Sequence, residues 1–284
     1  MNAAPDRRRL LAVLAACIAI VAVLVIVLRS PDPVDAPAGQ PAVTVPAPAQ
    51  ARVRAALTRD DEAIDGVPGY APFVAIGGAK HKQIALTFDD GPGPTTPALL
   101  DHLQAHAVPA TFFLIGHAIA QHTDLVLREL DAGFSVGTHT DSHDALASRP
   151  SADQQDQILA AADRITRISR HAVRLFRPPY GSYDANTLRI VRAERMLMVL
   201  WSIDPGDYSA KRPRQIVDAT LAAARPGAIV LLHDGPGARP KTLAAVRMLV
   251  PALRRRGYKL VSVPELLRDD PPPRRQPAPR GAGR

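Results

Sequence analysis

Two aspartates stand side by side after a short apolar run, and their chemistry suits cation binding or proton transfer. The run occupies residues 84–88, and Asp89 and Asp90 follow it directly, before a Gly-Pro turn. Carboxylates this close repel each other unless a cation or hydrogen-bond donors absorb the charge. At the end of a strand, both side chains can reach a common site. Taken alone, the pair also fits a turn or a helix N-cap.

Two histidines four residues apart, His139 and His143, form the second informative pair. This spacing puts both imidazoles on one side of a helical turn, where they can bind one metal ion. The spacing resembles the zinc-protease motif, but Thr140 occupies the position of that motif's glutamate base. The base must come from elsewhere, and the Asp89–Asp90 pair can supply it. Together, the two pairs predict a divalent-metal site used for hydrolysis.

Three further clusters become informative only in combination. In the Arg-Pro-Pro-Tyr-Gly segment at residues 177–181, two prolines fix the backbone and can hold Arg177 towards a carboxylate. Asp204 and Asp207 follow a fourth apolar run, and His233 follows a fifth. Each cluster alone fits a structural turn or a histidine with ordinary hydrogen bonds.

The elements that position these residues alternate along the chain. Short apolar runs predict strands at residues 84–88, 111–115, 134–136, 197–203, 229–232 and 260–263. Segments of helical period between them include residues 153–169, 214–224 and 243–255. This alternation predicts an α/β fold with a parallel sheet, and six or seven units fit a barrel better than an open sheet. The polar clusters follow the strands, at the end where α/β enzymes build their sites.

The five clusters, in this order and spacing, resemble the polysaccharide deacetylase family, also called the NodB homology domain or carbohydrate esterase family four. The resemblance extends over residues 83–267 and implies a distorted barrel of about seven strand-helix units. Two positions depart from the family pattern, with Tyr208 in place of a tryptophan and Thr138 in place of an asparagine. These departures affect the expected shape of the groove more than the chemistry.

The resemblance also implies a role for each site residue. Asp89 matches the catalytic base, and Arg177 matches the arginine that orients it. His233 matches the general acid, and Asp207 matches the acid that tunes it. The remaining matches are the metal ligands Asp90, His139 and His143, and the backbone amide of Tyr180 as the oxyanion donor. Zinc is the first choice of metal from the ligand types, with cobalt or nickel as alternatives.

These roles imply a metal-dependent hydrolase that removes N-acetyl groups from an amino-sugar polymer outside the cytoplasm. We expect peptidoglycan to be the substrate, because a short spacer would keep the site near the wall. An O-acetyl glycan esterase on the same scaffold is an alternative, since an alkoxide leaves more easily than an amine. A non-catalytic glycan-binding protein is a second alternative, although every residue such a protein would lose is present.

The amino terminus predicts a membrane anchor. Three arginines at positions 7–9 precede an unbroken apolar run at residues 10–28, which at helical rise spans about 28 Å. The arginines should stay in the cytoplasm, so the chain after residue 30 should lie outside. The run contains Cys17, the only cysteine, in a sequence that resembles a lipoprotein box. We favour a signal anchor over lipidation there, because the apolar run continues past the cysteine.

The remaining organisation follows from composition. We expect a stub and anchor at residues 1–29, a Pro/Ala-rich linker with a short helix at 30–66, the catalytic domain at 67–268 and a disordered Pro/Arg-rich tail at 269–284. The net charge of +8 favours anionic surfaces such as lipid headgroups or charged wall polymers. The expected partners are an N-acetylated polysaccharide and the bacterial membrane, with no nucleic acid.

Overall fold

The computed structural model describes residues 47–277 and residue 279. The predicted anchor at residues 10–28 lies outside these residues, as do the rest of residues 1–29, residues 30–46 of the predicted linker and the end of the predicted tail. Among the helices that are described, none is long and apolar enough to span a bilayer.

Seven strands alternate with nine α-helices over the described residues. The strands are β1 (Gln83–Asp89), β2 (Thr111–Leu114), β3 (Ser135–Thr138), β4 (Leu175–Phe176), β5 (Leu197–Met198), β6 (Ala228–His233) and β7 (Lys259–Val261). The helices are α1 (Ala47–Asp65), α2 (Thr96–Ala105), α3 (Gly116–Gln121), α4 (Thr123–Asp131), α5 (Ser151–Ser169), α6 (Ala185–Ala193), α7 (Pro213–Ala223), α8 (Pro240–Arg255) and α9 (Val263–Asp269). A 3-10 turn at Pro179–Gly181 follows β4.

All strand pairs in the sheet are parallel, which confirms the predicted α/β class. The strand order is β5-β4-β3-β2-β1-β6, and β7 joins the sheet by pairing with β1. Strand β1 is therefore central: it pairs with β6 along its length, with β7 at its start and with β2 at its end. Because neighbouring strands run the same way, their carboxyl ends meet at one edge of the sheet.

The sheet curves into a half-barrel, and no hydrogen-bonded ladder joins β5 to β6 among the described residues. Isolated bridges occur at this seam instead, pairing Ile203 with Val230 and Val74 with Val199. The predicted strand at 197–203 therefore ends early, and β4 is an additional strand of two residues that its short apolar run did not reveal. The predicted strand at 260–263 also ends early, because Val263 starts α9.

Alternation along β1 separates two hydrophobic cores. Ile84, Leu86 and Phe88 belong to the larger core, which the surrounding helices share. Ala85 points the other way, into a smaller core inside the curve of the sheet. Since side chains alternate along a strand, Thr87 and Asp89 share the inner face with Ala85. This register places Asp89 inside the half-barrel at the carboxyl end of its central strand.

The segments flanking the predicted catalytic domain pack against it. Helix α1 is longer than predicted, its Ile64 belongs to the inner core, and its Asp60 accepts a hydrogen bond from Ser135 at 2.7 Å. Near the other end, the Gln276 side chain accepts hydrogen bonds from the Ala75 and Ile76 amides at 2.8 and 3.0 Å. Gln276, in the described part of the predicted tail, is thus held against the domain by two hydrogen bonds.

Candidate active site

Asp89 and Asp90 lie at the carboxyl end of β1, and both are buried. The backbone of Asp90 is left-handed, with φ 72°, so the chain turns sharply immediately after the strand. A backbone hydrogen bond stabilises this turn, since the amide of Asp234 donates to the carbonyl of Asp89 at 3.1 Å. Its effect is to direct the two neighbouring carboxylates towards the same edge of the sheet.

His139 and His143 lie beside Asp90, in the loop that follows β3. The Oδ1 atom of Asp90 lies 3.1 Å from Nε2 of His143 and 3.5 Å from Nε2 of His139. One ligand atom from each residue lies within 4.8 Å of the other two. The two histidines reach this position through left-handed turns at Thr140 and His143, with φ 67° and 65°, and not through a regular helix as their spacing suggests.

The protonation of His139 suits metal binding. Its Nδ1 lies 2.6 Å from the carbonyl oxygen of Arg177, and since a carbonyl only accepts, Nδ1 carries the hydrogen. Burial lowers the pKa of His139 and outweighs the charges of Asp89 and Asp90, which act in the opposite direction. The lowered pKa keeps the ring neutral. Its Nε2 lone pair therefore faces Asp90, in the arrangement that protein groups commonly impose on a histidine ligand.

The donor set fits a divalent cation. Oδ1 of Asp90 is a buried carboxylate oxygen with no hydrogen-bond donor among the described residues, although two imidazole nitrogens lie near it. Such an atom is costly to bury unless a cation or donor meets it. One carboxylate and two neutral imidazoles match the ligand types of zinc and related ions, and leave coordination positions open.

Arg177 fixes the neighbouring carboxylate, Asp89. The guanidinium group is fully buried and donates to Asp89 Oδ1 at 2.7 Å and to Thr87 Oγ1 at 2.8 Å. It also donates to the carbonyls of Val199 and Leu200, both at 3.1 Å. The second oxygen of Asp89, Oδ2, faces the metal-ligand side, 3.7 Å from Nε2 of His139. One oxygen is thus committed to Arg177, and the other points into the site.

A histidine–aspartate pair lies next to this cluster. His233 ends β6, where it is the register partner of Asp89 across the sheet. Its Nδ1 lies 2.7 Å from Asp207 Oδ1, and its amide donates to Asp207 Oδ2 at 2.9 Å. Burial lowers the pKa of His233, but the hydrogen bond and the negative charge of Asp207 outweigh it and, with the charges of Asp89 and Asp90, raise the pKa to about 9. The imidazole is therefore a proton donor at neutral pH.

Two exposed tyrosines flank the buried polar groups. Tyr180 is 67% exposed, and its ring lies edge-on to His143 with 4.7 Å between centroids. Tyr208 is 57% exposed and lies edge-on to His233 at 5.7 Å. Large exposed aromatic rings on either side of a polar site provide faces for an extended ligand. Tyr180 lies in the turn after β4 with φ 60°, a conformation that its two preceding prolines help to fix.

The structure thus brings together all eight residues that the sequence predicted for the site. Side-chain contacts link Asp89, Asp90, His139, His143 and Arg177. His233 and Asp207 form a second pair, which the register of β1 and β6 places beside Asp89. Tyr180 joins the site through the contact of its ring with His143. Asp204, from the fourth cluster, lies apart in an exposed turn, where it accepts a hydrogen bond from the Gly206 amide at 2.8 Å.

Three supporting residues were not predicted. Thr87 contacts Arg177, and Thr242 donates a hydrogen bond to Asp207 at 2.7 Å. Asp234 is fully buried beneath the Asp90 turn and accepts a hydrogen bond from Thr96. Burial raises the pKa of Asp234 to about 7, with Asp90 and Asp89 adding to the effect against the Thr96 hydrogen bond. The sequence does contain a signal for Asp234, because it directly follows His233 and precedes a glycine, as Asp90 does.

Comparisons with known proteins agree with this geometry. A profile of the family described as polysaccharide deacetylase matches residues 77–199. The chain is 40% identical over 198 residues to a chitooligosaccharide deacetylase of Bradyrhizobium sp. (strain ANU 289), which covers 65% of this chain and 90% of that one. It is 37% identical over 191 residues to a peptidoglycan-N-acetylglucosamine deacetylase of Bacillus cereus, which covers 66% of this chain and 89% of that one.

Solved structures share the fold. A peptidoglycan N-acetylglucosamine deacetylase superposes with a TM-score of 0.68 at 30% identity, covering 72% of this chain and 96% of that chain. A pseudoenzyme of carbohydrate esterase family four from Bacillus anthracis superposes with a TM-score of 0.64 at 28% identity, covering 68% of each chain. Because this fold also occurs in a pseudoenzyme, the identity and geometry of the site residues matter more than the backbone.

Proposed function

The chain belongs to the polysaccharide deacetylase family of hydrolases, carbohydrate esterase family four, and we propose that it removes N-acetyl groups from the N-acetylglucosamine of peptidoglycan. The observation that carries the chemistry is the pairing of two differently held acid–base groups across β1 and β6. Asp89 is tied to a buried cation, Arg177, whereas His233 is tied to a buried anion, Asp207. Opposite partners adapt one group to accept a proton and the other to donate one.

Asp90, His139 and His143 are the residues that would hold the metal on which this family depends. When bound, a divalent cation supplies Lewis-acid chemistry that makes water more acidic and withdraws electron density from a carbonyl group. Zinc suits the two imidazoles and one carboxylate, and cobalt or nickel would accept the same ligands.

Asp89 is the base in this proposal. Arg177 holds its Oδ1, and Oδ2 is left to accept a proton from the attacking water. Because Arg177 is anchored to four separate acceptors, the carboxylate keeps its orientation while its proton content changes. The backbone amide of Tyr180 is the proposed donor to the oxygen of the acetyl group as negative charge develops there.

His233 completes the reaction by protonating the nitrogen of the departing amine. Its Nδ1 is engaged by Asp207, so the hydrogen on Nε2 is the one available for transfer. An amine leaves poorly unless it is protonated, and a histidine with a raised pKa carries that proton at neutral pH. The same residue would contribute less to hydrolysis of an O-acetyl ester, whose alkoxide leaves more easily.

Peptidoglycan is the proposed substrate because the predicted anchor at residues 10–28 and a short spacer would hold the domain close to the cell wall. The relative from Bacillus cereus supports this choice, and the one from Bradyrhizobium makes chitooligosaccharides the principal competitor. The exposed rings of Tyr180 and Tyr208 suit a chain of sugars better than a small isolated amide.

Acetate release from several polymers tests the proposal. The metal-loaded protein should release acetate from peptidoglycan faster than from chitin oligomers, and only weakly from acetylated xylan. Asp89→Asn, which removes the proposed base, should release none from any of them. Preference for chitin oligomers would replace the substrate while keeping the reaction, preference for xylan would indicate an esterase, and no release from any polymer would favour a glycan-binding protein.

A further inference from the structure

Thr242 lies on the first turn of α8, the helix that follows β6 in the chain. Its side chain is buried, with 2% of the residue exposed, and its hydroxyl donates to Oδ2 of Asp207 at 2.7 Å. The direction of this bond is fixed by chemistry, because an ionised carboxylate has no hydrogen to donate. Thr242 therefore contributes a donor to the anion that holds His233.

The carboxylate of Asp207 receives three hydrogen bonds in all. Two come from His233, from Nδ1 to Oδ1 and from the backbone amide to Oδ2. The third, from Thr242, comes from a different element of the fold. With hydrogen bonds from His233 alone, the carboxylate group of Asp207 could still tilt relative to the His233 ring. The additional bond from Thr242 fixes the plane of the carboxylate group. The orientation of the His233 ring follows from that plane.

Removing the hydroxyl would disturb this arrangement specifically. Oδ2 of Asp207 would keep a single donor in a position where the side chain of Asp207 has no solvent contact. A buried carboxylate that loses a donor shifts towards other partners or water, and the ring that it holds shifts with it. The metal ligands and Asp89 lie outside these contacts and would be unaffected.

We propose that Thr242 is a positioning residue for the proton-donation step, holding Asp207 so that the His233 ring faces the amine leaving group. This inference rests on the proposed role of His233. It extends the His233–Asp207 pair to a chain of three residues, in which the threonine acts only through the aspartate. Because its contribution is confined to leaving-group protonation, it should depend on the leaving group of the substrate.

The test compares an amide with an ester whose leaving group needs no proton. Thr242→Val keeps the shape of the side chain but removes the donor, and it should lower kcat on an N-acetylglucosamine oligomer about 10- to 100-fold. On 4-nitrophenyl acetate, its rate should change by less than about twofold, because nitrophenolate leaves without protonation. Thr242→Ser, which restores the hydroxyl, should recover most of the amide activity. If the valine variant does not fold, Thr242→Ala provides the same comparison.

The matched control is Thr220→Val. Thr220 is also a fully buried threonine, but its hydroxyl donates only to the carbonyl of Ile216 in its own helix, at 2.8 Å. Thr220→Val should therefore leave the activity on the N-acetylglucosamine oligomer and on 4-nitrophenyl acetate unchanged. An equal fall on both substrates for Thr242→Val, or no fall on either, would overturn the inference.

His233→Ala, measured alongside, separates this inference from the proposed function. If His233→Ala loses amide activity selectively and Thr242→Val does not, the positioning role is wrong and the general acid stands. If His233→Ala itself shows no selective loss, the proposed role of His233 fails, and the inference about Thr242 fails with it.

Discussion

Arg177 donates a hydrogen bond to Oδ1 of Asp89 at 2.7 Å, and neither side chain is more than 3% exposed. The rest of the guanidinium group contacts Thr87 and two backbone carbonyls, and it lies 4.1 Å from the centroid of the Phe113 ring. These contacts use the planar fork of arginine in several directions at once. The position therefore requires the geometry of arginine as well as its charge.

Replacement of Arg177 should separate charge from geometry. Arg177→Lys keeps a cation but cannot reach all four acceptors, and turnover should fall about 100-fold because Asp89 loses its fixed orientation. Arg177→Met also leaves Asp89 buried without its cation, so the free energy of unfolding should fall by about 3–5 kcal/mol. Urea unfolding and acetate release measure the two effects. The control, Arg214→Lys, changes an exposed pair with Asp218 and should alter neither.

The two adjacent aspartates should behave differently when each is replaced. Asp90→Asn, His139→Ala and His143→Ala remove proposed ligands, so each should greatly weaken zinc binding, whereas Asp89→Asn should keep zinc but lose turnover. Metal content after dialysis, measured by mass spectrometry, distinguishes the two groups. Equal zinc content in all four variants would contradict the assignment, and circular dichroism checks that each variant is folded.

Much of this site could be predicted from sequence because the chemistry follows the strands. The apolar run before Asp89 and the one before His233 predict β1 and β6, and parallel strands bring their ends together. The roles of Asp89 and Asp90 could not be assigned in this way, because two adjacent aspartates after a strand do not show which is the base and which is the metal ligand. That assignment came from the family resemblance, and Arg177 accounts for it physically by holding only Asp89.

The supporting roles of Thr242 and Thr87 could not be predicted, because their partners are distant in sequence and their own types are ordinary. Thr242 contacts Asp207 across 35 positions, and Thr87 contacts Arg177 across 90. Likewise, β4 has two residues and is stabilised as a strand by its neighbours on both sides, which a short local pattern cannot reveal. Tertiary contacts decide such positions, and local sequence carries little of that information.

Gly235 should be essential for the shape of the metal site. A Cβ atom at this position would lie 2.0 Å from the backbone carbonyl oxygen of Asp90, which has no freedom to rotate away. Gly235→Ala should displace the Asp90 turn, weaken zinc binding and lower the thermal midpoint of unfolding. Gly69→Ala is the matched control, because a Cβ atom there meets nothing within 4 Å. Isothermal titration with zinc measures the effect, and unchanged affinity in Gly235→Ala would show that the turn can relax.

The stability of the metal-free protein should fall as the pH rises from about 6.5 to about 9, because of His233. The pKa of His233 is raised in the folded state from its ordinary 6.5 to about 9. A raised pKa means that the folded protein binds the proton more tightly, so this stabilisation is complete below pH 6.5 and is lost as the pH passes 9. A shift of this size corresponds to about 3 kcal/mol.

Asp207→Asn tests the source of that effect, because it removes the negative charge that raises the pKa of His233. Urea unfolding at about pH 6 and about pH 10 should show a much smaller loss of stability in this variant than in the unmodified protein. Subtracting the pH-dependent change in unfolding free energy of the variant from that of the unmodified protein cancels the contribution of titrating groups far from His233. Asp218→Asn, at an exposed helix position, should retain the full pH dependence. The same loss of stability in Asp207→Asn as in the unmodified protein would mean that His233 does not carry the raised pKa.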